Sequence, residues 1–202
     1  MSKIKKIKVI AVTGGIASGK SLAARTLEKL GAHIIDADEI TRKIQSQAAV
    51  LDAIRIVFGK TVIGTDGRLD RGALREIVFS DPEKLKKLNA LIHPLVHKEM
   101  ERRIAALSQD CKPVFIIVPL LFESGMEKLA DTVWTVSCKE ETRIRRLLQR
   151  DKSMAEETAL AIIRAQMSDA GREARSDIVL RNDGAESEFI DAVRKEYNKL
   201  GM

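Results

Sequence analysis

Cysteine, aromatic residues, proline and long apolar runs are all scarce in this chain, and each scarcity closes off a class of protein. The two cysteines, Cys111 and Cys138, form no CxxC pair and no metal-ligand spacing, and 202 residues need no disulfide to hold a core. A reducing compartment, the cytoplasm, is the expected location. Aromatics make up 3% of the residues, too few for the stacking platform of a single-strand nucleic-acid binder. The longest apolar run, Val114 to Phe122, is nine residues long and carries Pro119, so it cannot span a bilayer. The lysine-rich start resembles the n-region of a signal peptide, but the apolar run behind it, Val9 to Val12, is too short for an h-region. There is no internal repeat and no low-complexity segment.

Charge and apolar residues are plentiful. The chain is 45% apolar and 32% charged, which suits one folded α/β domain with a small appended subdomain. Its net charge is +6, with 35 basic against 29 acidic residues. Lys3, Lys5, Lys6 and Lys8 supply four positives with no acid among them, most simply as a solvated lead-in to the first strand. Lys139 to Lys152 holds six bases against three acids, a local excess suited to a small phosphorylated ligand rather than to a polymer. Neither a nucleic-acid nor a membrane partner is expected, and the expected assembly is a monomer or weak homo-oligomer.

Short apolar runs alternate with longer amphipathic ones. Strands are expected at Lys8 to Thr13, Ala32 to Asp36, Val114 to Val118, Asp131 to Ser137 and Asp177 to Leu180. Helices are expected at Ser21 to Leu30, Glu140 to Arg150, Ala155 to Met167 and Glu186 to Leu200, with Gly31 closing the first. Between Glu39 and Leu107 only helices are convincing, one of them starting at Ser80-Asp81-Pro82-Glu83. Turns fall at Asp66-Gly67 and Asn182-Asp183-Gly184. Strands separated by helices imply a mainly parallel sheet covered on both faces, with a helical subdomain inserted after the second strand.

Gly14-Gly15-Ile16-Ala17-Ser18-Gly19-Lys20-Ser21 satisfies G-x-x-x-x-G-K-[ST] between the first strand and first helix. Small residues let the backbone wrap a phosphate chain, Lys20 would bridge β- and γ-phosphates, and Ser21 would ligate Mg²⁺. The chain has no N-K-x-D and no D-x-x-G, so a GTPase switch loses its supports. Asp36 and Asp38 sit at the end of the second strand, where open sheets bind ligands, and an i, i+2 spacing on extended chain turns both to one side. Asp38 is read as the base that takes the acceptor proton, with Asp36 orienting metal water or substrate. The alternative is that one of them caps a helix starting near Glu39. Arg143, Arg146 and Arg150 share a helix face; they form either a lid over the triphosphate or a solvated face paired with Glu140, Glu141 and Asp151. His93 and His97 have a metal spacing without a third ligand, and a helix start with Pro94 in its first turn explains the pattern without metal.

Taken together, these residues resemble the dephospho-CoA kinases over nearly the whole length. The similar stretches are Thr13 to Ser21, Ile35-Asp36-Ala37-Asp38, Phe58-Gly59, Asp66 to Arg71, Asn89 to Pro94, Val118 to Glu123, Arg146 with Arg150-Asp151, Gln166, and Asn182 with Gly184. The phosphate loop is generic; the remaining stretches in this order are specific. The resemblance implies an α/β core with a parallel sheet of the P-loop type at residues 1–38, 108–138 and 171–202. It also implies a helical CoA-binding subdomain at about 39–107 and a helical lid at about 139–170. The implied reaction uses Mg²⁺ and ATP to phosphorylate the ribose 3′-hydroxyl of dephospho-CoA, the last step of coenzyme A synthesis.

By the same resemblance the nucleotide is held by Gly14, Gly15, Ala17, Ser18, Gly19, Lys20, Ser21, Leu22, Arg146, Arg150 and Asn182, the last near adenine. Asp38, Lys20 and Arg146 would be catalytic, and Asp36, Asp38, Arg71, His93 and Pro94 would meet the acceptor. The sequence departs from the family pattern at Ala17, where glycine is common, and between Gln45 and Val50, where a Gly/Pro turn is missing. It departs again at Arg143 in place of a frequent glutamine, Ile162 in place of arginine and Arg172 in place of lysine. A kinase of another small molecule, such as a nucleoside, shares the loop and lid but not the Leu69-Asp70-Arg71 and His93-Pro94 signatures. A basic, ATP-gated nucleic-acid binder is opposed by the few aromatics and by charge gathered in the N-terminal tail.

Overall fold

The computed structural model describes residues 8–107 and 112–201; Lys3, Lys5, Lys6 and Cys111 lie outside them. The described elements run β1 (Val9–Gly14), α1 (Lys20–Lys29), β2 (His33–Asp36), α2 (Ala37–Gln45), α3 (Ala48–Phe58), α4 (Arg71–Phe79) and α5 (Pro82–Ala106). They continue with β3 (Val114–Ile117), β4 (Thr132–Ser137), α6 (Glu140–Arg150), α7 (Glu156–Arg164), α8 (Asp169–Glu173), β5 (Ile178–Arg181) and α9 (Glu186–Asn198).

The five strands form one sheet in the order β2-β3-β1-β4-β5, and every pairing is parallel. All six residues of β1 are buried, as a central parallel strand covered on both faces requires. On one face Ile10, Val12, Phe115, Ile117, Trp134 and Val136 pack with Ala23 and Leu27 of α1 and Phe189, Val193 and Tyr197 of α9. Phe115 meets Trp134 edge to face at 5.3 Å between ring centroids, a geometry in which the ring quadrupoles attract. Tyr197 keeps its hydroxyl satisfied by donating to the Leu30 carbonyl, 3.2 Å away.

The chain divides into two compact units, one made of Met1–Asp36 with Arg103–Met202 and the other of Ala37–Arg102. The second unit is helical. Its turn at Asp66-Gly67 is built by the Asp66 carboxylate, which accepts from the Arg68 N–H at 3.0 Å, and by Gly67 at φ 74°. Asp81 caps α5 by accepting from the N–H groups of Glu83 and Lys84.

Two expectations need correction. Pro94 does not begin a helix; it lies inside the 25-residue α5. An interior proline leaves the carbonyl four residues earlier without its partner. Here Ala90 and Pro94 are both exposed, so water can reach that carbonyl, while Ile92, Val96 and Met100 continue one buried stripe past the proline. The helix expected over Ala155 to Met167 ends at Arg164, and a separate α8 follows with Ser168 as its cap, its hydroxyl accepting from the Gly171 N–H at 3.1 Å.

Among the described residues no helix is long and apolar enough to cross a membrane. Truncating Phe115 to alanine removes the ring that joins Trp134 to Tyr197. It should cost about 3–5 kcal/mol, read as a lowered urea midpoint with an unchanged slope.

Candidate active site

The phosphate-binding loop leaves the C-terminal end of β1, the central strand. The connection from β1 runs to β2 on one side, while that from its neighbour β4 runs to β5 on the other, and such a switch point leaves a crevice at the strand ends. The glycines are set by what presses on them. A Cβ on Gly14 would run into the Val136 carbonyl of β4, and one on Gly19 into the Asn182 side-chain amide. Gly14 at φ 152° and Gly19 at φ 112° also occupy backbone regions that favour glycine.

The loop is fastened from outside. Asn182 is buried, and its side-chain N–H donates to the Ser18 carbonyl at 2.7 Å. Arg146 donates from Nη1 to the carbonyls of Ala17 and Ser18, both at 3.2 Å, and from Nη2 to the Asn182 carbonyl at 3.0 Å. Because the C=O and N–H of a peptide point in opposite directions, pinning the Ser18 carbonyl turns the Gly19 N–H the other way. Gln166 accepts from the Ile16 N–H at 2.8 Å, and the side chains of Ile16 and Ala17 pack on Leu147, Ala159 and Ile163 of α6 and α7. The loop's shape therefore depends on the segment that follows β4.

Inside the loop, Lys20 reaches back to donate to the carbonyls of Gly14 and Gly15, at 2.8 and 2.9 Å. The Ser18 hydroxyl is buried without a hydrogen-bond partner, a loose polar end within the loop. Glycine walls, a lysine lying across the first turn and an orphaned hydroxyl fit a phosphate chain. Ser21 is exposed in the first turn of α1, where a single hydroxyl can serve Mg²⁺ that takes its other ligands from phosphate oxygens and water. Leu22 follows it, half-buried against the sheet-face core.

The arginines of α6 do not form one solvent-facing stripe. Arg150 is exposed at the helix end, Arg146 is half-buried on the loop, and Arg143 is buried against Asp169. Neither Arg143 nor Arg146 pairs with Glu140, Glu141 or Asp151, because the loop carbonyls and Asp169 claim them.

Asp36 and Asp38 also differ from expectation. Asp36 closes β2, whereas α2 already begins at Ala37, so Asp38 lies in a helix's first turn rather than on extended chain. A strand's two-residue alternation does not apply across that junction, and the helix dipole favours a carboxylate in the first turn. Arg71 opens α4, whose cap is Asp70, accepting from the Ala73 N–H at 3.0 Å. His93 and Pro94 lie mid-way along α5. Partial burial lowers the His93 imidazole pKa, so the ring is neutral at pH 7. His97 sits 3.5 Å from Glu101 one turn along. Loop, Arg146, Arg150 and Asn182 thus belong to one unit, and Asp38, Arg71, His93 and Pro94 to the other.

The dephospho-CoA kinase family model matches residues 8–188. A dephospho-CoA kinase of Aeromonas hydrophila is 44% identical over 184 residues, covering 90% of this chain and 88% of that one. The chain belongs to the dephospho-CoA kinase family. A crystal structure from Thermus thermophilus shares 34% identity with a TM-score of 0.86, covering 98% of this chain and all of that one. The dephospho-CoA kinase of Campylobacter jejuni shares 28% identity with a TM-score of 0.73, covering 95% of this chain and 96% of that one.

Against the family pattern noted above, Ala17 is the residue of the described chain outside glycine that takes a positive φ, 59°. Its methyl packs on the α6–α7 core, which offsets part of the strain. A left-handed alanine costs of order 1–2 kcal/mol relative to a relaxed backbone. Ala17→Gly is expected to raise stability by up to about 1 kcal/mol, since glycine's larger unfolded-state entropy takes back part of the gain; thermal denaturation checks it.

Proposed function

We propose that this chain transfers the γ-phosphoryl group of ATP to the ribose 3′-hydroxyl of dephospho-CoA, releasing coenzyme A and ADP. The observation that carries this reading is the loop at the end of β1, whose Ser18 carbonyl is tied outward by Arg146 and Asn182 so that the Gly19 N–H turns away from them, toward an anion. Membership of the family supplies the acceptor.

In the reaction the 3′-oxygen forms its bond to the γ-phosphorus as the bond from that phosphorus to ADP breaks, with entering and leaving oxygens in line. The hydroxyl proton passes to the Asp38 carboxylate as base. Gly14, Gly15, Ala17, Ser18, Gly19, Lys20, Ser21 and Leu22 form the nucleotide cradle. Lys20 exchanges its loop carbonyls for phosphate oxygens. Arg146 holds the loop's outer side, and Asn182 serves the nucleotide by fixing Ser18. Arg150, exposed at the end of α6, is assigned to the phosphates when residues 139–170 close as a lid. Bound at Ser21, Mg²⁺ would neutralise charge on the β- and γ-oxygens.

The helical unit Ala37–Arg102 is assigned to the acceptor, through Arg71, His93 and Pro94, with Asp36 at the boundary orienting water or substrate. A neutral His93 suits a hydrogen bond to a polar group of the acceptor better than a charge pair with phosphate. Every group assigned comes from one chain, as a monomer or weak homo-oligomer would require. The free, buried Cys138 thiol suits the reducing cytoplasm.

Asp38→Asn is expected to lower turnover by about 10²–10⁴-fold with ATP affinity nearly unchanged. Coupled ADP release with dephospho-CoA, adenosine, a nucleoside monophosphate or no acceptor provides the measurement; wild-type turnover with a nucleoside alone would reject the acceptor assignment. Chelating divalent ions should abolish transfer and excess Mg²⁺ restore it, and Ser21→Ala should raise the Mg²⁺ concentration needed for half-maximal rate.

A further inference from the structure

Arg143 stands apart from the other arginines of α6. It is 4% exposed, and its Nη2 donates to Asp169 Oδ2 at 2.7 Å. Its Nε and Nη1 are buried with no hydrogen-bond partner. Nη1 is also the first atom that a Cβ on Gly15 would strike, so the guanidinium lies directly against the backbone of the loop's second residue.

A second guanidinium shares the same carboxylate. Arg172 is fully buried and donates from Nη1 to Asp169 Oδ1 at 2.9 Å and from Nη2 to the Met167 carbonyl at 2.9 Å, leaving Nε without a partner. The other charges facing Arg172 are Arg143 and Glu123, the latter an exposed residue whose carboxylate accepts from the Met167 N–H at 3.3 Å. Two buried cations thus divide one carboxylate that is itself partly exposed. Arginine does not shed its proton in proteins, so the two buried charges persist against the one carboxylate they touch, the second acid, Glu123, being exposed. A buried charge without full compensation is costly, and an anion brought near it recovers part of that cost.

We propose that Arg143 is a positioning residue for the nucleotide's phosphates: a buried cation braced against Gly15 that acts through the loop backbone and the local field, without touching the ligand. Its effect scales with phosphate charge, so it favours ATP over ADP and AMP and is indifferent to adenosine. A low-dielectric setting makes such a charge felt across the loop more strongly than the exposed Arg150 would be. The proposal rests on the reading that the loop holds nucleotide phosphates.

The test is equilibrium binding of ATP, ADP, AMP and adenosine to the full chain carrying Arg143→Gln or Arg143→Lys. Arg143→Gln should weaken ATP by about tenfold or more, ADP less, AMP less again, and adenosine not at all. Arg143→Lys, which keeps the charge, should retain most of the preference. A merely structural role would weaken all four ligands alike; that result, unchanged ATP binding in Arg143→Gln, or equal losses in both variants would overturn the proposal. Asp169→Asn, which removes the shared counter-charge, should shift the ATP-to-adenosine ratio the opposite way, and a fall would count against it. Should the variants not fold, wild-type protein decides: inorganic tripolyphosphate must raise its melting temperature more than adenosine does, and the reverse order refutes the proposal. Failure of wild-type protein to bind ATP would instead remove the nucleotide reading itself.

Discussion

The carbonyl of Ser18 receives hydrogen bonds from Arg146 and Asn182, and much else in the structure is arranged so that it can. Asn182 must emerge from β5 at the height of the loop, which the parallel order β1-β4-β5 secures. Its own N–H is fixed by the Ser137 carbonyl at the end of β4. Arg146 must point inward from α6, and the start of that helix is anchored by Asp183, whose carboxylate accepts from the Lys139 N–H at 2.7 Å. Gly19 must be glycine because the Asn182 amide occupies the place of its Cβ. A single turn after the last strand thus fixes loop and helix together.

This arrangement assigns the charge of the site to distinct tasks. Lys20 lies within the loop, Arg146 grips its outer side, and Arg143 and Arg172 share Asp169 beside it. In the sequence Arg143 and Arg146 read as parts of one basic excess, Lys139 to Lys152. In the fold they differ in burial, in partner and hence in dielectric surroundings, which decide what a positive charge can do. The local core of Leu147, Ala159 and Ile163 is the apolar counterpart, since it receives Ile16 and Ala17 from the loop.

Most of the architecture was legible in the residues because local signals and tertiary packing agreed. The short apolar runs became the five strands, and Glu140 to Arg150 became α6 with the expected bounds. Legibility failed where a long-range partner decided the outcome. Pro94 reads locally as a helix start, but exposure at Ala90 and a buried stripe on the opposite side keep α5 intact through it. The helix after Ala155 stops early, and Gln166 beyond its end accepts from the Ile16 N–H, 150 residues away in sequence. The junction of β2 and α2 falls between Asp36 and Asp38, one residue from where alternation alone would place both on one face. Of the site, the glycine-rich loop announced itself. Asp169 gave no signal, because a single acid between two arginines reveals nothing until the fold buries both arginines against it.

Strand order also governs when this protein becomes a protein. β1 and β2 are consecutive in the chain but do not touch, for β3 lies between them. A nascent chain that has emerged only through β2 has therefore made none of the three parallel pairings that these two strands require. The phosphate loop is made before any strand that neighbours β1, and its last fastening, Asn182, arrives more than 160 residues later. Before β3 and β4 are made no neighbouring strand fixes the loop's shape, and the loop is fully fastened only once the chain has reached Asn182, an ordering typical of sheets built from distant segments.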